Sequence, residues 1–425
     1  IDCGLFQGLK ELRQRNWTKF PIEPHLIDAV ILTHAHIDHS GYLPVLVKNG
    51  FTGKIYCSQA TRDLCAILLP DSGYLQEEEA KFANKYGYTK HKPAVPLYTR
   101  EEAEQTLLQF RALEFRKNYK FWDDTHISLI PAGHILGATF IQVKNFGTTV
   151  LFSGDLGRPE DPIMQPPAIM QSADYLVLES TYGNRLHKKV NPLDELCEII
   201  NRTAARGGTV IIPAFAVGRA QHLLYFMYLL KLHKRIPDLP IYLDSPMAKS
   251  ATDIFRKYAE LHRLDAKLSG QVSDVAKYIT TKEESQALGQ DTAPKIIISA
   301  SGMLEGGRVL HHVKIFGTDE RNTIVFAGYQ AAGTRGADII NGKPSIKIFG
   351  EDTPIRAEVR VLSNMSAHAD YDEILAWLKN FNHHPRTVFI THGEPDAANS
   401  LKEKIEERFG WPCVVPDYLY GVVLN

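Results

Sequence analysis

The chain is short of several things, and each shortage excludes something. Only 5 of its 425 residues are cysteine, scattered at Cys3, Cys57, Cys65, Cys197 and Cys413. That odd, unclustered set excludes a disulfide scaffold and reads as free thiols of a reducing, cytoplasmic compartment. The longest apolar run, Leu223 to Leu230, falls far below the roughly 20 residues that span a bilayer. The opening residues, Ile1-Asp2-Cys3-Gly4, carry neither the basic segment nor the apolar stretch of a secretory signal. Charge of one sign is lacking as well. Lys and Arg number 48 against 49 Asp and Glu, a formal net charge of −1, so any polyanion must be held by a local patch. Internal repeats, low-complexity segments and long linkers are absent, which excludes solenoids and tethered arrays.

What remains is ample for a packed fold. With 44% hydrophobic and 23% charged residues the chain excludes intrinsic disorder, and its length predicts two or three domains. A short β-branched run, a small-residue or polar loop and a helical segment recur along it. Such runs are Ala29 to Leu32, Thr209 to Ile212, Ile241 to Leu243, Lys295 to Ile298, Thr323 to Phe326 and Thr387 to Ile390. Apolar strands buried on both faces and alternating with helices indicate α/β architecture. Ligands of such sheets gather at the carboxyl ends of strands. The stretch Asp71 to Arg111 differs, being rich in Glu, Lys, Tyr and Pro; it reads as a surface excursion with helical pieces at Gln76 to Tyr86 and Arg100 to Leu113. Within it, Lys85, Lys90, His91 and Lys92 read as a solvated charge run, with a rim facing a polyanion as the lesser reading.

The strongest local pattern is Thr33-His34-Ala35-His36-Ile37-Asp38-His39-Ser40, directly after an apolar strand. Four of the six residues from His34 to His39 are nitrogen or oxygen donors of the kind Zn²⁺ prefers. An extended backbone sends the rings of His34 and His36 to one side. Asp38 and His39 fall on the turn into the next helix and can diverge toward a second metal. At this chain's own residue frequencies the pattern is expected by chance on the order of 10⁻³ times. His134 in Pro131-Ala132-Gly133-His134, Asp155 after Val150-Leu151-Phe152-Ser153-Gly154, and His392 after Val388-Phe389-Ile390-Thr391 are further candidates. Singly each has an ordinary reading as a turn or cap residue. Their shared placement after apolar strands points to one site, where two metals about 3.5–4 Å apart would serve an in-line displacement at phosphorus.

In these motifs, with Asp2, the sequence resembles the metallo-β-lactamase superfamily. It further resembles the β-CASP branch, the nucleases of RNA processing and DNA repair, through Glu179 in Leu178-Glu179-Ser180-Thr181-Tyr182, His368 in Met365-Ser366-Ala367-His368-Ala369-Asp370, and His392 in Thr391-His392-Gly393-Glu394. Histidine at the last position is typical of RNA-directed members. The match runs over essentially the whole length and looks most like prokaryotic relatives of the endonuclease subunit of pre-mRNA 3′-end processing. It implies an α/β fold: a metallo-β-lactamase αββα sandwich with an inserted β-CASP α/β cap domain. Residues 1–183 would be the first part of the sandwich, lacking its first strands, 184–360 the β-CASP domain and 361–425 the rest of the sandwich. An additional RNA-binding domain of the archaeal type is not expected.

The resemblance also implies roles. His34, His36 and His134 would hold one Zn²⁺ and Asp38, His39 and His392 the other, with Asp155 bridging and Mn²⁺ able to substitute. Asp38 would also orient the attacking hydroxide, Glu179 and His368 would pair so that His368 acts as general acid, and Asp2 would buttress the ligands. In the cap, the loop Ser299 to Arg308, with Ser301, Gly302 and Arg308, and separately Arg219, are candidates for phosphate contacts; ordinary tight turns and ion pairs are the competing reading. The expected function is hydrolysis of phosphodiesters in single-stranded RNA, with no membrane partner and with room for a homodimer. The competing readings are a small-molecule thioester or lactone hydrolase, a DNA-directed nuclease of the same branch, and a scaffold subunit with a degenerate site.

Overall fold

The computed structural model describes residues 1–87 and 92–424, Ser363 by its backbone only, so Lys90 and His91 fall outside the described residues. Its first sheet is small and parallel: β1 (Ala29–Ile31), β2 (Lys54–Ser58) and β3 (Phe110–Leu113), in that order. Then come β4 (Tyr119–Trp122), β5 (Thr125–Pro131), β6 (Thr139–Asn145), β7 (Thr148–Phe152) and β8 (Tyr175–Glu179). A parallel sheet follows, built from β9 (Val210–Pro213), β10 (Ile241–Asp244), β11 (Lys277–Ile279), β12 (Ile296–Ser299), β13 (Thr323–Phe326) and, beyond the hairpin β14 (Ser345–Ile348) and β15 (Glu351–Pro354), β16 (Glu358–Val361). The chain then returns with β17 (Thr387–Thr391) and β18 (Cys413–Val414), completing a seven-stranded sheet of order β18-β17-β8-β7-β6-β5-β4. Thus the six-stranded sheet, β11-β10-β12-β9-β13-β16, lies in sequence between β8 and β17, which pair with each other in the other sheet.

The two sheets of the first unit face one another. Ile31 of β1 packs with Ile127, Leu129 and Ile141 of β5 and β6, while helices cover the outer sides, giving the expected α/β sandwich. Every strand expected from an apolar run is present within a residue of its bounds. The reason is visible in the inserted sheet, where β9, β12 and β13 are buried along their whole length. Ile296, Ile297 and Ile298 are each 0% exposed, and burying a side chain of that size contributes about 1.5–3 kcal/mol.

The excursion departs from its sequence reading. Its first helix is a single element, Gln59–Tyr86, capped by the Ser58 hydroxyl accepting from Thr61 N–H and running through Pro70. Ala60, Leu64, Leu68 and Leu69 line its buried face, and it packs on helix Pro246–Lys257 of the inserted unit. The second helix ends at Thr106, because Phe110–Leu113 is drawn into register with β2 (Ile55 opposite Phe110, Ser58 opposite Leu113). Neither piece is merely solvated: Tyr98 between them is 0% exposed, and Asp63 holds both Lys257 Nζ and the Tyr258 hydroxyl at 2.6 Å. Among the described residues no helix is long and apolar enough to cross a membrane.

At the carboxyl end of β10, Asp244 is wholly buried but fully engaged. It accepts from His312 Nε2 at 2.6 Å, Arg308 Nη1 at 2.8 Å and the Ser285 hydroxyl. Although burial opposes ionisation, these donors hold its carboxyl below the usual range. Asp244→Ala strips the counter-charge from Arg308 and takes the acceptor from His312 Nε2 and the Ser285 hydroxyl. It is expected to destabilise the protein by about 3–5 kcal/mol in urea unfolding.

Candidate metal centre

Six loops deliver the site. His34 and His36 follow β1, and His39 lies on the short helix Ile37–Ser40. His134 follows β5, Asp155 follows β7, Glu179 ends β8 and His392 follows β17. His368 lies just before helix Tyr371–Leu378. β7, β8 and β17 are mutually parallel and β5 runs the same way, so these carboxyl ends share one side of the sheet. His392 takes φ +55°, a left-handed conformation held by Thr181, whose hydroxyl lies 3.1 Å from its carbonyl, and by Ser180, which donates to Thr391 O at 2.8 Å. Residues 2–5 run past the metal loop: Cys3 N–H donates to His39 O at 2.7 Å and Leu5 N–H to Ile37 O at 3.0 Å.

The donor atoms converge as two sets around Asp155. In one, His34 Nε2 lies 3.0 Å and His134 Nε2 3.3 Å from His36 Nδ1, and both Nε2 atoms are 3.3 Å from Asp155 Oδ2. In the other, His39 Nε2 lies 3.0 Å from His392 Nε2 and 3.2 Å from Asp155 Oδ1, with Asp38 Oδ2 3.5 Å from His392 Nε2. No single proton satisfies three mutually close acceptors. A tetrahedron of metal–nitrogen bonds 2.0–2.1 Å long, however, has edges of about 3.3–3.4 Å. Asp155 Oδ1 is buried without a hydrogen-bond partner among the described residues, as a ligand oxygen would be. The residues fit a metal ion.

Protonation agrees with that fit in the first set, while in the second a metal would have to displace protons from His39 and His392. Burial, with the neighbouring His34, pushes His36 down to about 3; burial also lowers His34 and His134, so all three imidazoles keep free lone pairs at neutral pH. Burial opposes charge on His39 and His392 too, yet Asp155 outweighs it, raising His39 well above its ordinary value and His392 to about 9. Asp155 itself is held far below the carboxylate range, against its burial, chiefly by His392 and His39.

Behind these atoms lies a layer that fixes ring orientation. Asp2 Oδ2 meets His39 Nδ1 at 2.7 Å and the Thr33 hydroxyl at 2.8 Å, while Asp2 Oδ1 accepts Thr33 N–H at 2.7 Å. Glu179 Oε1 lies 3.0 Å from His368 Nδ1 and accepts Leu156 N–H at 2.7 Å. Against its burial, Glu179 and then Asp155 raise the pKa of His368. Thr33, Ser180, Thr181 and His187, whose Nε2 meets His368 O at 2.9 Å, escaped the sequence reading; such support is set by spatial rather than sequence spacing. A fourth group of potential donors, His187, Asp370 and Glu373, is knitted to this support, since Asp370 accepts His187 N–H and Glu373 pairs with Arg158.

The candidate phosphate contacts divide. Ser301 accepts Glu305 N–H, and Gly302 backs onto Phe215, whose ring stands 6.4 Å from His36, so this loop is one side chain removed from the donors. Arg308 is a correction: its guanidinium is spent on Asp244 and on the carbonyls of Ile279 and Thr280. Arg219 is buried, and its Nε and Nη1 have no hydrogen-bond partner among the described residues.

A buried His/Asp metal site at strand carboxyl ends, beside an inserted α/β unit, defines a metal-dependent hydrolase of the metallo-β-lactamase type. Family models agree: Beta-lactamase superfamily domain over residues 1–211, Beta-Casp domain over 220–339, and Zn-dependent metallo-hydrolase RNA specificity domain over 352–416. Ribonuclease TTHA0252 of Thermus thermophilus is 37% identical, over 96% of this chain and 90% of its own. Transcription termination factor FttA of Pyrococcus abyssi is 32% identical, and this chain spans 63% of its length. Cleavage and polyadenylation specificity factor subunit 3-I of Arabidopsis thaliana is 28% identical over 96% of this chain and 57% of its own. The chain belongs to the β-CASP branch of the metallo-β-lactamase superfamily.

A Cβ on Gly4 would fall 1.6 Å from Asp38 O. Gly4→Ala is therefore expected to displace the turn that presents Asp38 and His39. Metal bound per folded chain, read by elemental analysis, should fall, with a stability loss of about 2–4 kcal/mol.

Proposed function

We propose that the protein is a ribonuclease that hydrolyses phosphodiester bonds of single-stranded RNA at a centre of two zinc ions. The observation that carries this is the pair of donor sets sharing one buried carboxylate: His34, His36 and His134 against Asp155 Oδ2, and Asp38, His39 and His392 around Asp155 Oδ1. Two zinc ions there, with Mn²⁺ able to replace them, would polarise the phosphodiester and lower the pKa of a water. The RNA-directed reading is supported by the RNA specificity model over 352–416 and by the Thermus ribonuclease, of which the chain covers nine-tenths. Its cysteines, unpaired among the described residues, suit a cytoplasmic enzyme.

The chain's own groups then divide the work. Asp38, whose side chain is 40% exposed and whose carboxyl His392 and His39 hold well below the usual range against its partial burial, orients the attacking water, whose proton passes to solvent. Glu179 holds His368 by Nδ1, leaving Nε2 to hand a proton to the departing 3′ oxygen. The raised pKa of His368 keeps that proton in place at neutral pH. As the new P–O bond forms, the P–O3′ bond breaks, leaving a 5′ phosphate and a 3′ hydroxyl. A thioester or lactone hydrolase has no use for the inserted unit or the Glu179–His368 pair, and a scaffold role does not call for a complete donor set.

Asp38→Ala is expected to abolish cleavage of end-labelled unstructured RNA; full cleavage by this variant, loaded with zinc, would refute the mechanism. His368→Ala should lower kcat by about 10²–10⁴-fold with metal content unchanged. A bridging 3′-sulfur linkage, whose thiolate leaves without a proton, should restore most of that loss. No rescue would remove His368 from the general-acid role.

A further inference from the structure

Arg219 opens helix Arg219–Leu232 in the inserted unit, after the loop that leaves β9. It is only 8% exposed, and the buried Nε and Nη1 are unpartnered. An ion placed this way loses water and gains no hydrogen-bonded counter-charge, so it is held at a cost to the free protein. Burial lowers its pKa to about 10, which still leaves it charged at neutral pH. Asp161, the carboxylate that acts on it, is already occupied. Asp161 Oδ1 accepts Ile163 N–H at 2.9 Å and Met164 N–H at 2.7 Å, and lies 3.2 Å from His222 Nε2. Arg158, also nearby, adds repulsion and is itself spent on Glu373 and Asn364 O.

The surroundings suit an anion. Arg219 is the first residue of a 14-residue helix, the end at which the helix dipole is positive, although the Arg219 and Ala220 N–H groups there already donate to Val217 O and Phe215 O. Gly328, after β13, borders it: a Cβ there would meet Arg219 Nε at 3.6 Å, an ordinary contact. Tyr182, which lies within electrostatic reach of Arg219, stacks on His368 with ring centres 6.3 Å apart, placing Arg219 toward the general-acid side of the metal centre.

We infer that Arg219 is a phosphate-binding residue that holds a backbone phosphate of single-stranded RNA upstream of the scissile linkage. The inference rests on the ribonuclease reading above. Polarity follows from His368, because the nucleoside whose O3′ departs lies on its side of the cut. Occupation by phosphate turns an unpaired buried charge into a charge-assisted, forked contact.

The test compares the zinc-loaded wild type with Arg219→Gln on single-stranded RNAs carrying one neutral methylphosphonate, moved along a mapped cut. In the wild type, kcat/KM should fall about 10- to 100-fold at one upstream position. Arg219→Gln should show that loss on unmodified RNA and no further loss at that position. Its log kcat/KM should also fall less steeply with log salt, by about 0.7. The variant should melt no lower than wild type, because an unpaired charge has been removed. Arg219→Lys should keep the salt slope and lose part of the rate. Independent, multiplying effects of the two changes, an unchanged salt slope, or a lower melting temperature without these kinetic changes would overturn the inference. Coupling to a downstream position would overturn its polarity alone. A wild type that cuts no RNA overturns the ribonuclease reading, and this inference with it.

Discussion

The structure turns on one carboxylate. Asp155 is 2% exposed, and its two oxygens face two different groups of imidazoles. A carboxylate so buried is tolerable only with positive charge around it, which metal ions held by the two donor sets would supply on both sides. Gly154, at φ +50°, makes the placement feasible, because a side chain there would strike Thr33. Thr33 is in turn bonded to Asp2, which orients His39. Strand ends from both sheets of the sandwich are thereby locked to a single atom group. The loops are the mobile part of most folds, but here they are fastened from behind.

The inserted unit handles buried charge in two contrasting ways. Asp244 is surrounded by donors and fixes the end of β10 to Arg308 and His312. Arg219 is left without such partners, although Asp161 stands within electrostatic reach and is occupied by His222 and two amides. A satisfied buried ion rigidifies the fold, whereas an unsatisfied one is retained at a cost to stability. That difference separates two arginines which the sequence offered on equal terms.

The main architecture was legible because its strands are short apolar runs buried on both faces, as Ile296–Ser299 and Thr323–Phe326 are. The excursion was misjudged because its helix Gln59–Tyr86 buries only a narrow stripe and passes through Pro70, a residue that in sequence marks an end. Phe110–Leu113 reads locally as helix and becomes strand only through pairing with β2. Tertiary contacts override weak local preference there.

For the site, residue type and spacing alone determined the candidate donors from His34 to His39, because four such side chains within six positions have little other use. The resemblance added Glu179, His368 and Asp2. Only the tertiary structure decided which nitrogen meets which, since the 3.0 Å approach of His39 to His392 spans 353 positions of chain. It alone decided which Asp155 oxygen meets which imidazoles, and that Arg308 is spent while Arg219 is not. Composition records which groups a chain possesses; burial and the competition for partners, which set the energy of each charge, exist only once distant segments are packed together.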